Sequence, residues 1–435
     1  MGFLAAILSY LCDFIVSDFI VSFYSHMGNF ENGMFILSAF VALWEEFSKL
    51  KVLYDQGGKG SMLQFKQDYS IKPDMAVLVS KEHIRKKADQ YLKEWVPHIT
   101  DEHCSRSAGG IHDFYSEGDY WWPDPQTTDG LPYIRRDGKS NPDNFSGHRL
   151  ILRRMRNQVS TLAMAYKLFG EEAYACHALR ILKEFFIDEE TKMNPSLDYG
   201  QAIAGICRGR GIGVIDTIHL ADVPFAIEAM RGARSMTEEL YSGLVDWFAS
   251  YLGWMLSSRN GIEEMNTENN HCVCYFMQAA VFARFTDNEQ IVKFCRMQYK
   301  TRLLPQMDPD GSFPLELART KPYNYSAFLL DNLTSICQLL SEPEDDLWTY
   351  ETPDHKSYKK ALDFLSPYIL DKTAWPYQKD VEHFDSFPVR YSFLLFAGHV
   401  LGHQALIDLY LKLPETITDE EALRNLAVRM PLLWM

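Results

Sequence analysis

Residues 268–285 read ENNHCVCYFMQAAVFARF, a polar tetrapeptide followed by a run in which nearly every position is apolar. The run is longer than a typical strand and holds no glycine or proline, so it predicts a helix buried around most of its circumference. Thr267 and the asparagines at 269 and 270 are ordinary capping residue types, which places the helix start at the tetrapeptide.

Working outward, apolar residues recur at three-to-four spacing over 235–257 before this helix and over 287–303, 324–341 and 355–370 after it. The same spacing covers 81–97, 148–169 and 171–187, and the stretches between carry Gly, Pro, Asn or Asp. Alternating strand patterns are scarce. The expected fold is all-α, many antiparallel helices in one chain, and a bundle, a solenoid or a closed toroid of helical hairpins would each satisfy the periodicity. No repeat of fixed anchor residues at roughly 34 or 40 positions supports the solenoid.

The amino terminus follows a different pattern. Residues 1–24 are rich in Phe, Ile, Leu and Val, but Asp13 and Asp18 interrupt them and no Lys or Arg precedes them, which suits neither a membrane span nor a secretory signal. A second apolar run, Met34 to Trp44, leads into Glu45 and Glu46. Gly57, Gly58 and Gly60 then break the chain. Residues 1–60 therefore read as an extension, whether anchor, targeting segment or unused start, and 61–435 as one folded domain.

The composition, 47% hydrophobic and 14% aromatic with 23% charged residues, is that of a folded soluble protein. Forty-three basic against 58 acidic residues give a net charge of −15, which argues against a nucleic-acid partner spread over the whole surface. An anionic partner would have to be met locally. One stretch could do so: 131–160 carries Arg135, Arg136, Lys139, Arg149, Arg153, Arg154 and Arg156 against Asp137 and Asp143. The plainer reading of that stretch is a solvated helix face. The eight cysteines are scattered, with no CxxC pair and no oxygen-rich loop, so no metal and no cofactor are expected.

Two connections are unusually long. The first, SRSAGGIHDFYSEGDYWWPDPQTTDGLPYIRRDGKSNPDNFS at 105–146, places Tyr120, Trp121 and Trp122 beside two prolines, where flat rings could stack on sugars or plug the core. The second, MNPSLDYGQAIAGICRGRGIG at 193–213, offers Asn194, Tyr199, Gln201 and Arg210 as polar contacts among small residues.

Breaking a 4-linked uronate by elimination needs three things: neutralisation of the carboxylate, a base for the C5 proton and an acid for the departing O4. Asn and Arg can carry the developing charge, and His and Tyr can move the protons. Asn270 and His271 stand at a predicted helix start, where free backbone N–H groups favour a carboxylate. Downstream, PLELARTKPYNYSAFLLDNL at 314–333 sets Arg319 and Tyr325 six residues apart across Pro322, so a turn could bring guanidinium to phenol and favour the phenolate. Taken singly, a cap and a packing tyrosine explain these residues as well.

Jointly they resemble a known family. ENNH at 268–271 and LELARTKPYNYSAF at 315–328, with GGIHDFYSEGDYWWPDP at 109–125, LPYIRRDGKSNPDNF at 131–145 and GRGIGVIDTIHL ending at Leu220, are similar to the alginate lyase superfamily, nearest its polysaccharide lyase family 38 of alginate and glucuronan lyases. The resemblance implies an α/α toroid of paired helices and a cofactor-free lyase acting on an anionic polysaccharide. It implies that Asn270 and Arg319 neutralise the carboxylate, His271 is the candidate base and Tyr325 the acid, with tyrosine serving both steps when the C5 proton and O4 are syn. The Arg-to-Tyr spacing is one residue shorter than in family 5 alginate lyases, which brings Tyr323 in as a second candidate. His112, Tyr120, Trp121, Trp122, Gln201, Arg210 and His219 would line the substrate cleft. That substrate class favours a periplasmic or secreted location although no clear signal peptide is present, leaves membrane contact to the extension alone, and says nothing of oligomeric state. Two other readings are an unsaturated uronyl hydrolase on a similar toroid, with Glu268 or Asp113 as its acid, and a glycan-binding protein without turnover.

Overall fold

The computed structural model describes residues 80–435, so the extension assigned to 1–60 lies outside the described residues. Helices dominate, and they sort by burial into two layers. The first layer holds α2 (Gly147–Phe169), α4 (Asp222–Ala229), α7 (Asn270–Phe285), α10 (Pro322–Leu340) and α12 (Ser392–Val400). In α7 and α10 almost every residue is buried, as the all-round apolar sequence of 268–285 requires. These helices touch in the order α2, α4, α7, α10, α12.

Amphipathic helices back them. Here α1 (Lys81–Tyr91) and α3 (Glu172–Phe186) lie on α2, while α5 (Glu238–Ser257) and α8 (Glu289–Gln298) lie on α7. Further on, α11 (Tyr358–Leu370) lies on α10 and α13 (Gln404–Lys412) on α12. Each presents one apolar stripe inward and keeps charges outward, the pattern of a helix with a single packed face. The short helices α6 (Arg259–Met265), α9 (Pro314–Leu317) and α14 (Glu420–Arg424) sit at the ends of the longer ones.

The C-terminal turn Pro431–Leu433 contacts α2, α4 and α12, joining the first inner helices to the last. Trp434 behind it is fully buried, stacked on Phe225 at 3.9 Å between centroids, with Nε1 donating to Asp222 Oδ1 at 2.8 Å. Asp222 in turn faces Arg156, itself fully buried, at 3.6 Å.

The helix boundaries follow the sequence closely, with two differences. The helix expected over 81–97 ends at Tyr91, and that expected over 287–303 stops being α-helical after Gln298 and continues as a π turn over Tyr299–Leu303. The long connections form small pieces of sheet. The strand β1 (Tyr115–Glu117) pairs in parallel with β4 (Tyr199–Ala202), and β2 (Trp121–Trp122) pairs antiparallel with β3 (Ile134–Arg135). Beyond β4, Gly211–Ala221 forms a 3₁₀ helix of 11 residues, much longer than such helices usually run.

The basic stretch divides: Arg135, Arg136 and Lys139 are exposed and Arg154 half-exposed, as a solvated face would be, but the rest are not. Arg149, Arg153 and Arg156 of α2 are all buried, because this part of α2 turns toward the domain interior; Arg149 and Arg156 meet the buried Asp119 and Asp222 there, and Arg153 reaches out to the exposed Glu420. Among the described residues no helix is long and apolar enough to cross a membrane.

Candidate active site

The ends of α7 and α10, the β2 loop, the 3₁₀ helix and α14 together enclose a cleft of about 240 Å³. Six arginines line it, at 135, 149, 153, 210, 319 and 424, against three carboxylates, Asp119, Asp216 and Glu421. Six minus three leaves an excess of positive charge inside a chain of net charge −15. Low-dielectric walls strengthen that local field.

At the start of α7, Asn269 is the N-cap and its side chain accepts from the backbone N–H of His271 at 3.1 Å. Asn270 is almost wholly buried; its backbone N–H and its Nδ2 each donate to the carboxylate of Glu316, both at 2.7 Å. The helix start is therefore not an open carboxylate site, as the sequence suggested, because Glu316 and Asn269 already occupy its first N–H groups. Burial raises the Glu316 carboxyl in spite of the two donors from Asn270. His271 Nδ1 lies 2.6 Å from Oε1 of Glu264, a residue with no exposure, so Nε2 is the ring nitrogen left for the cleft.

Facing this pair is Tyr325, on the first turn of α10, whose phenol oxygen lies 3.1 Å from Arg319 Nη2 and 2.8 Å from the hydroxyl of Tyr120. The guanidinium also covers the Tyr325 ring at 4.3 Å and is held from behind by Asp137 Oδ1 at 3.2 Å. Burial drives the Tyr325 phenol well above its ordinary range, Tyr120 adds to the rise, and Arg319 only partly offsets it. The free site thus holds a neutral tyrosine, contrary to the phenolate that spacing alone suggested. Tyr120 is likewise pushed up to about 12, chiefly by burial.

Trp121, Gln201 and Arg210 form the opposite wall. Gln201 adopts a left-handed φ of 48°, rare for a residue with a side chain, and uses both its carbonyl and Oε1 to hold Arg210, each at 3.0 Å. Arg210 lies over the Trp121 ring at 5.8 Å.

Of the twelve residues expected in the site, nine line the cleft and three do not. Tyr323 is fully buried, donating to the Tyr368 carbonyl at 3.3 Å and packing edge-on against Trp375 and Phe384. Two positions along a helix turn a side chain to nearly the opposite face, so Tyr325 and Tyr323 cannot share one cleft. Trp122 points away from Trp121 because neighbours on a strand alternate; its Nε1 donates to the Lys139 carbonyl at 3.0 Å. His112 Nδ1 is engaged by the Lys192 carbonyl at 2.7 Å, and its own carbonyl accepts from the Asn194 N–H at 2.9 Å, which ties the two long connections together.

The structure adds residues that sequence reasoning did not place. Asp119 bridges Arg149 at 2.7 Å and Arg424 at 2.6 Å. Burial alone would raise its carboxyl, yet the two guanidinium groups hold it at about 2. Glu421 links Arg424 and Lys321, both at 3.2 Å, and these cations keep it below its usual range although it is buried. The hydrolase candidates do not fit. Asp113 is spent on Gly110 and Asn194, and neither it nor Glu268 lines the cleft. A glycosidase acid needs a raised pKa, whereas Asp119 and Glu421 are held down. Among the described residues no group of three or more His, Cys, Asp or Glu is placed to hold a metal ion.

A family model described as alginate lyase matches residues 99–375, more than half of the chain. The chain belongs to the alginate lyase family. Its structure superposes on an alginate lyase from Bacteroides ovatus with a TM-score of 0.72 at 32% identity, covering 90% of this chain and 97% of the other. Alginate lyase A1-III from Sphingomonas species A1 is similar in fold, with a TM-score of 0.50 at 17% identity over 75% of this chain and 88% of that one. A variant of A1-III complexed with a tetrasaccharide gives 0.51 at 16% identity, over 75% and 87%. No curated protein matches the chain. The two helical layers closed by the C-terminal turn are thus the α/α toroid of this family, and the protein is a polysaccharide lyase.

Proposed function

We propose that this lyase depolymerises a 4-linked polyuronide, alginate or glucuronan, by β-elimination in the cleft built around Tyr325. The observation that carries this reading is the Tyr325 hydroxyl, set between Arg319 and Tyr120 in the same cleft as Asn270 and His271. Asn270, through the Nδ2 hydrogen not given to Glu316, and Arg319 bind the uronate carboxylate and stabilise the charge that grows on it as the C5 proton leaves. The bond from C4 to O4 then breaks, its electron pair leaves with O4, and Tyr325 supplies the proton that the departing oxygen takes up.

The base depends on the sugar. Where the C5 proton and O4 lie on opposite faces, as in guluronate, His271 Nε2 takes the proton, its other nitrogen being fixed by Glu264. Where they lie on the same face, as in mannuronate and glucuronate, Tyr325 takes the proton as phenolate and returns it to O4. Burial and Tyr120 oppose that phenolate, while the Arg319 guanidinium favours it. The relative from Bacteroides ovatus, 32% identical over most of this chain, is described as an alginate lyase, which supports the substrate class.

Incubating the protein with pure polymannuronate, polyguluronate and glucuronan while following the ultraviolet absorbance of the unsaturated product tests the reading. A rise with at least one polymer is expected. New reducing ends without that absorbance would point to hydrolysis instead.

A further inference from the structure

A second cavity, of about 270 Å³, lies among α1, α2, α13 and the C-terminal segment, and it shares no lining residue with the cleft. The segment from Glu415 to Leu432 walls both. Leu423 faces this cavity while its neighbour Arg424 faces the cleft, because consecutive side chains on a helix diverge. Apolar side chains such as Ile84, Met430 and Leu432 line the cavity together with the rings of Tyr91 and Tyr410. Burial raises both phenols, so neither contributes negative charge.

Three cations, Lys87, Arg390 and Arg429, face a single carboxylate here, Glu415. That carboxylate is already divided between Arg390 Nη1 at 3.3 Å and His83 Nδ1 at 3.4 Å. Among the described residues Arg429 and Lys87 have no carboxylate partner: the guanidinium donates to the Glu415 carbonyl at 2.8 Å and the ammonium to Gln90 Oε1 at 3.1 Å. Asn157 adds a buried side-chain oxygen that accepts from no described donor. Beside it in α2, Arg156 is fully buried with Nε and Nη2 unpartnered, and its charge reaches Arg429 and Tyr91. An unmatched acceptor and partly desolvated cations among apolar walls carry a cost that a bound ligand relieves.

We propose that this cavity is a second ligand site, separate from the catalytic cleft, for a compact acid sugar: a carboxylate on a ring that also carries hydroxyl groups. The carboxylate accepts from Arg429 and Lys87, a hydroxyl donates to Asn157 Oδ1, and the ring lies against the apolar walls. A bare inorganic anion would leave the apolar surface and the Asn157 oxygen unmet, and a neutral sugar would leave the two cations unmet. A ligand held here joins α1 and α2 to the segment that brings Arg424 to the cleft. That the acid sugar is a uronate rests on the lyase reading above, since a polyuronide lyase releases short uronates; the charge and shape of the cavity do not depend on it.

Hydrogen exchange of the full chain, read by mass spectrometry, tests this with glucuronate as the probe and glucose and inorganic phosphate as controls. Helix α1 lines this cavity and not the cleft, so slower exchange over 81–91 reports this site alone. Glucuronate is expected to slow exchange there severalfold, and glucose and phosphate are not. Lys87→Met and Arg429→Met should each weaken glucuronate, read from the concentration dependence of that protection, by about ten-fold, in keeping with loss of a charged hydrogen bond, while turnover of polymer stays at its basal level. Lys87 sits half-buried on an outer helix, so its variant decides the matter if Arg429→Met does not fold. Protection confined to cleft peptides, equal protection by glucose or phosphate, or wild-type affinity in the folded variants overturns the site. Protection over 81–91 in a chain that makes no unsaturated product from a polyuronide keeps the site and overturns the lyase reading; unsaturated product without that protection does the reverse.

Discussion

The hydroxyl groups of Tyr120 and Tyr325 lie 2.8 Å apart, although 205 positions separate them in the chain. Neither is ionised in the free protein, since burial raises both. On the proposed mechanism, Tyr120 is the neighbour in hydrogen-bond contact with Tyr325 when its proton leaves. Tyr325→Phe should abolish formation of unsaturated product, a fall of about a thousand-fold or more in kcat, while calorimetry still detects oligouronate binding. Tyr120→Phe should cost about ten- to a hundred-fold in kcat with little change in KM.

The carboxylate of Glu264 is fully buried and holds His271 Nδ1 at 2.6 Å, which fixes the tautomer that leaves Nε2 as an acceptor. His271→Ala should remove activity on polyguluronate and leave measurable activity on polymannuronate. Glu264→Gln can bind the ring in either sense and should reduce guluronate turnover by about ten-fold or more while sparing mannuronate. Equal losses on both polymers would assign His271 to carboxylate binding instead.

Because the cleft carries six arginines against three carboxylates in an acidic chain, attraction of a polyanion depends on a local field. Raising the ionic strength should increase KM for a polyuronide severalfold and leave kcat nearly unchanged. Initial rates measured over a salt series check this; a kcat that falls in step with the rise of KM would contradict it.

Asp331, on α10, is buried, with Oδ1 accepting from Ser392 and Phe393 and Oδ2 unpartnered. Burial lifts its carboxyl from 3.8 to about 6. A folded-state value above the unfolded one means that its stabilising contribution is complete below pH 3.8 and is lost as pH rises through 6. Asp331→Asn keeps an acceptor at Oδ1 and removes the charge. The variant should gain stability over wild type as pH rises from 4 to 8, by at most about 3 kcal/mol from a shift of roughly two units. Thermal melts at the two pH values measure that difference.

How much of this was legible in the sequence differs between fold and site. The helix over 268–285 was readable because an apolar run without breakers has few other solutions, and α10 was readable for the same reason. Asn270, His271, Arg319 and Tyr325 stood out through their joint order along the chain, and all four do line one cleft. Tyr323 and Trp122 were misplaced because resemblance passes over the facing rules of helices and strands that a register check would apply.

Glu264, Glu316, Asp119 and Arg424 carried no local signal. Each is a common charged residue whose meaning comes from a partner far away in sequence: Glu316 with Asn270, 46 positions apart, and Arg424 with Asp119 across nearly the whole domain. By itself the sequence determined the layered helices and the four residues at their ends, since burial pattern and residue type are local properties. Only the tertiary structure decided that the Tyr325 hydroxyl is buried between Arg319 and Tyr120, that His271 Nδ1 is taken by Glu264, and that the C-terminal segment closes the cleft. Those outcomes depend on desolvation and on partners brought together by closing the toroid.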